Sequence, residues 1–127
     1  MKLNSIKLVH LNALGEKYPM TMDLNVYSSL QEEYGSLDAW YKEAFGGDES
    51  DSSIKALIFT VKEMINEGID IENETKPVYR EHISSTVAGM ICTEIGLKGI
   101  SKTIQEFRED SGGEGKSEED GDSPRDD

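Results

Sequence analysis

The run Ile54-Lys55-Ala56-Leu57-Ile58-Phe59-Thr60-Val61-Lys62-Glu63-Met64-Ile65-Asn66-Glu67-Gly68 decides the fold. Ile54, Leu57, Ile58, Val61 and Ile65 return every three or four residues, which lines them up as one stripe along an α-helix. Ser50 to Ser53 offer caps at its start, and Gly68 followed by Ile69 reads as a C-terminal glycine stop with a hydrophobic contact. A stripe this apolar has to be covered, and the sequence on both sides supplies the cover.

Towards the N-terminus, Ile6, Leu8 and Leu11 form a β-prone run ending near Asn12, Gly15-Glu16-Lys17 reads as a turn, and Tyr18 to Leu24 alternates Met20, Met22 and Leu24 on one face. Pro19 fits only the start or the edge of a strand, because it has no N–H to give to a ladder. A lone hairpin is marginal in water, so its apolar face must pack on the helices downstream of it. Asn25 is a candidate N-cap for a helix carrying Tyr27, Leu30 and Tyr34 and stopping at Gly35; Ser36 caps a second, with Leu37, Trp40, Tyr41, Ala44 and Phe45.

Beyond Gly68, residues 69–76 read as a loop, and Pro77 suits the first turn of a helix bearing Tyr79, Ile83, Val87, Met90 and Ile91 on one face. Ile95, Leu97, Ile100, Ile104 and Phe107 suggest a last helix running to about Asp110. The expected class is mainly α with a short N-terminal antiparallel β-hairpin, a small α+β body of four to five helices over residues 1–110. Residues 111–127, SGGEGKSEEDGDSPRDD, hold no aliphatic or aromatic residue and set seven acids against Lys116 and Arg125. Such a segment cannot offset the roughly 1–2 kcal/mol per residue of ordering entropy, so a disordered acidic tail is expected there.

The chain has 127 residues, with 26 Asp and Glu against 13 Lys and Arg, a net charge of −13. Binding to a nucleic-acid backbone needs clustered cations, and an anionic membrane surface needs the same, so the expectation is no nucleic acid and no membrane among the partners. No apolar run approaches the ~18 residues of a spanning helix, and the opening residues do not resemble a signal peptide. A cytoplasmic protein is expected. The single Cys92 excludes an intramolecular disulfide and reads as a small buried hydrophobe.

Chemistry-bearing motifs are sparse. Gly115-Lys116-Ser117 matches only the end of a phosphate-binding loop, since Asp110 stands where that loop needs its first glycine. Asp48, Asp51 and their neighbours lack the central glycine and terminal glutamate of a calcium loop, and read as helix-capping acids. His10, expected on the polar side of its strand, and His82, expected on a helix surface, show no metal or nucleophile–base spacing with each other or with Cys92. No catalytic residue, cofactor or metal is therefore expected, and the protein is read as non-enzymatic. Tyr34, Trp40, Tyr41 and Phe45 need no explanation as core; as surface they would be the candidate partner-binding residues, because Trp and Tyr dominate interface energetics.

The run from Tyr18 to Leu37, YPMTMDLNVYSSLQEEYGSL, resembles the opening of tail assembly chaperones of long-tailed bacteriophages: a short strand, then a helix ending in an acidic pair and Gly-Ser. The apolar helix beginning Ile54-Lys55-Ala56-Leu57-Ile58 corresponds to the next helix of that family, and further helices come after a short linker. Lys76-Pro77-Val78-Tyr79-Arg80 departs from the family pattern. The resemblance implies a scaffold that binds the tape-measure protein, keeps it soluble in the host cytoplasm, brings tail-tube protein to it, acts in multiple copies and leaves before the virion is complete. It also implies ribosomal slippage near the end of the gene, for which Glu114-Gly115-Lys116 admits suitable codons. The alternatives are an acidic helical adaptor of a mobile element, or a nucleic-acid mimic that inhibits a DNA-binding protein through its carboxylates.

Overall fold

The computed structural model describes residues 6–46 and 51–116, with side chains placed for 6–46 and 54–108. Two strands, β1 (Val9–Ala13) and β2 (Glu16–Met20), precede five helices: α1 (Leu24–Tyr34), α2 (Leu37–Phe45), α3 (Asp51–Thr75), α4 (Ser85–Ile95) and α5 (Leu97–Lys116). The protein is mostly helical with one N-terminal hairpin, as its patterning implies. None of the described helices is long and apolar enough to cross a membrane.

The strands pair antiparallel with Val9 opposite Met20 and Ala13 opposite Glu16. Their turn is Leu14-Gly15, not Gly15-Glu16-Lys17: both residues have positive φ, 54° and 75°, the geometry that matches a two-residue connection to the strand twist. Leucine rarely adopts that conformation; here its amide donates to Glu94 Oε1 at 2.9 Å, tying the turn to α4. Met20 and Met22 are buried as expected, but Leu24 is not on their face. Asp23 caps α1, accepting from the Val26 amide, so the chain turns earlier than expected and leaves Leu24 83% exposed at the helix start. Asn25, the expected cap, lies inside the helix and donates to Glu67 at 2.8 Å. Ser36 caps α2 as its sequence implies, accepting from Ala39.

The central helix α3 touches every other element except β1 to a substantial extent. Its buried face is Ala56, Leu57, Thr60, Val61, Met64, Ile65 and Ile69, with Ile54 and Ile58 only half-buried at the margin of the stripe. Gly68 is not a stop. The helix runs through it to Thr75, over the expected loop at 69–76, because β2 crosses α3 there: a Cβ on Gly68 would lie 2.5 Å from the Pro19 carbonyl oxygen. Glycine is thus required for approach and not for termination. Pro19 accordingly sits at an edge position of β2, its carbonyl turned to α3 rather than to a third strand.

Residues 76–84 form an irregular strap, so Pro77 does not open a helix; α4 begins after Ser84, whose hydroxyl accepts from Val87. Gly96 separates α4 from α5, dividing the apolar run that starts at Ile95. Ile91 and Cys92 face the core from α4, and Ile100, Ile104 and Phe107 from α5. Helix α5 continues to Lys116, past the boundary expected at Asp110. The tail expected to be disordered lies, from residue 117, outside the described residues, as do Ser50 and Asp48 of the acidic capping segment.

Candidate partner-binding surface

The aromatic cluster is built on α2. Trp40 is 1% exposed, so it is core and not a surface anchor. Its indole N–H donates to Thr60 Oγ1 at 2.8 Å, and that hydroxyl donates to the Ala56 carbonyl at 2.7 Å, so the buried polar atoms of the pair are satisfied by each other and by the helix backbone. Phe45 and Tyr41 meet the Trp40 ring edge-on, with centroids 5.7 and 6.3 Å away, and lie 5.1 Å from each other. Tyr34 stacks edge-on against Phe59 of α3 at 5.9 Å. Tyr34, Tyr41, Phe45 and Phe59 are half-buried, each presenting part of its ring to solvent.

Cations cover part of this facet. Arg108 of α5 lies over the Tyr41 ring at 4.5 Å, and Lys62 over Phe59 at 5.4 Å. Burial pushes the Tyr34 phenol up from its ordinary pKa, and the charges of Glu33 and Glu43 add to the effect. The sequence-predicted residues are therefore brought together, but around a buried Trp40 whose ring supports its neighbours from beneath.

A second region departs from its sequence pattern. Helical spacing places Tyr79 on a buried face; in the strap it is instead 76% exposed, and its neighbour Val78 is 75% exposed. What holds the strap is a pair of asparagines on α3, two helical turns apart. Asn73 makes a two-way bond with the backbone of Arg80, donating to its carbonyl at 2.8 Å and accepting from its amide at 2.9 Å. Asn66 does the same with Ile83, at 3.2 and 2.8 Å. Arg80 then reaches the hairpin, donating to the Lys17 carbonyl and to Glu16 and lying 4.7 Å over the Tyr18 ring. Composition does not mark such clamps, since Asn66 and Asn73 look like ordinary polar positions of a helix; only the strap beside them gives them a role.

Between α1, α3 and the strap lies an open polar cleft of about 200 Å³, lined by Asn25, Ser29, Glu63, Asn66, Glu67, Asp70 and His82 among others. Burial, then a hydrogen bond and charge repulsion from Asp23 with a further contribution from Asp70, pushes the Glu67 carboxyl up to about 7 against the opposing bond from Asn25. His82 belongs to the strap and not to a helix surface, and bonds Asp70 at 2.7 Å. His10, on the exposed side of β1, bonds Glu72 at 2.7 Å. Burial of Glu72 is outweighed by His10 and Lys76, which hold its carboxyl below the ordinary range. Among the described residues no three His, Cys, Asp or Glu side chains converge as metal ligands. Cys92 is buried, and burial raises its thiol to about 11.

No protein-family model, curated protein or solved structure matches the chain.

Proposed function

We propose that the protein is a non-enzymatic assembly chaperone of phage tails, acting in the host cytoplasm by binding the tape-measure protein and promoting polymerisation of tail-tube protein around it. The observation that carries this reading is the run from Tyr18 to Leu37, whose strand, acidic-ended helix and Gly-Ser junction fall on β2, α1 and the start of α2 and lead into the long α3. The half-buried rings of Tyr34, Tyr41 and Phe45 support it as a contact facet, with Trp40 packed beneath Tyr41 and Phe45. A tape measure exposes long apolar helical surfaces, and a small acidic body covering them keeps the complex soluble.

Co-expression with a tape-measure protein and a tube protein of a long-tailed phage tests the proposal. The tape measure should stay soluble and co-elute with this protein, and should precipitate in its absence. A tape measure whose solubility is the same with and without it would overturn the reading, and selective capture of a DNA-binding enzyme would favour the mimic instead.

A further inference from the structure

The strap between α3 and α4 spends four side-chain-to-backbone bonds on its own shape. Asn73 grips Arg80 from both sides, Asn66 grips Ile83, and Arg80 is anchored to the hairpin. Ile83 packs against the core, yet Val78 and Tyr79 point outward, each about three-quarters exposed. A loop ordered this firmly gains nothing for the core by displaying Val78 and Tyr79. Ordering before binding removes an entropic penalty of association, and Tyr is among the residues that most often carry binding energy.

The charges around this tip are not neutral. Its cations are already engaged: Lys76 bonds Glu72 at 3.2 Å and Arg80 bonds Glu16 at 2.8 Å. Its carboxylates are not, for Glu74 and Glu81 are exposed and have no partner among the described residues. The tip is thus an apolar knob flanked by unneutralised acids on a protein of net charge −13.

We propose that the Val78–Tyr79 tip is a docking anchor for a basic amphipathic helix. A convex knob of this size fits the hole between four side chains of a helix surface. Lys or Arg beside that hole would reach Glu74 and Glu81 while their stems cover the ring. The surface differs from the α2 facet and does not depend on the partner being a tape measure.

The test uses two synthetic 20-residue helices with the same Leu face, one with Lys and one with Glu on its flanks, titrated against the full chain by fluorescence anisotropy. The Lys helix should bind, more weakly as salt rises, and the Glu helix should not. The double variant Val78→Ser, Tyr79→Ser should lose roughly tenfold or more in affinity with its helical circular dichroism unchanged. Glu74→Gln with Glu81→Gln should flatten the salt dependence. Asn73→Ala, which keeps both anchor side chains but frees the strap, should weaken binding by a smaller factor and be rescued by Asn73→Asp no better than halfway, since a carboxylate can accept from the Arg80 amide but cannot donate to its carbonyl. Equal binding of the two helices, or an unchanged affinity in the double Ser variant, would overturn the proposal. Loss of tape-measure solubilisation with Lys-helix binding intact would instead count against the chaperone reading alone.

Discussion

Glu67 stands where α1 meets α3, beside the Asp23 cap and within reach of the Asp70 charge, and its carboxyl is raised to about 7. A raised carboxyl favours folding while protonated in both states, and that contribution is lost as pH climbs from the unfolded value near 4.5 through about 7. Glu67→Gln mimics the protonated form. It should melt at the same temperature as the parent at pH 4 and higher at pH 8, by less than about 1 kcal/mol because the half-buried carboxyl keeps much of its hydration and solvent screens the repulsion from Asp23 and Asp70. A melting difference that stays constant across that range would refute the assignment. Glu72 has the opposite sign: its lowered carboxyl adds stability above pH 4.5 that fades on acidification. Thr60 is a second residue whose importance its type conceals. Thr60→Val preserves shape but leaves the buried Trp40 indole N–H without an acceptor, and should cost about 1–3 kcal/mol in urea unfolding. Thr60→Ser, which keeps the hydroxyl, should cost less. A Val variant as stable as the parent would mean that the indole finds another acceptor.

At the level of elements, two glycines inside helices make opposite demands. In α3, Ala at position 68 would gain helix propensity but drive a methyl into the Pro19 carbonyl, 2.5 Å away in backbone that cannot rotate aside. Overpacking of that kind costs typically about 1–3 kcal/mol and outweighs the ~1 kcal/mol of propensity, so Gly68→Ala should destabilise. In α4, the nearest atom to a Cβ on Gly89 is Ile58 Cδ1 at 3.8 Å, ordinary contact distance. Gly89→Ala should therefore stabilise by about 0.5–1 kcal/mol. Thermal denaturation of the two variants side by side checks both; if they shift in the same direction, the crossing of β2 over α3 is misplaced. Periodicity reveals α1, α2 and the core of α3 because their apolar spacing is local. It ends α3 at Gly68 and begins a helix at Pro77 because a glycine that lets a strand approach looks the same in sequence as one that ends a helix.

Over the whole molecule, carboxylates outnumber cations two to one, 26 against 13, and the ion pairs among the described residues, such as Arg80–Glu16 and Lys62–Glu63, are exposed or partly exposed. Self-repulsion should then dominate, and raising salt from about 10 to about 150 mM, which shortens the screening length from roughly 30 to 8 Å, should raise the melting temperature at pH 8. A fall would show that the ion pairs around the strap outweigh the repulsion. The sequence by itself determined the class, a helical body behind a hairpin, the burial of Cys92 and the cap at Ser36, since each depends on neighbours a few residues away. Tertiary structure alone decided that Trp40 is buried beneath the half-buried rings of Tyr41 and Phe45, that Gly68 continues its helix, and that Tyr79 faces solvent. Those outcomes depend on Thr60, Pro19 and Asn73, partners brought close by packing across the chain, and no local spacing encodes which residue will arrive there.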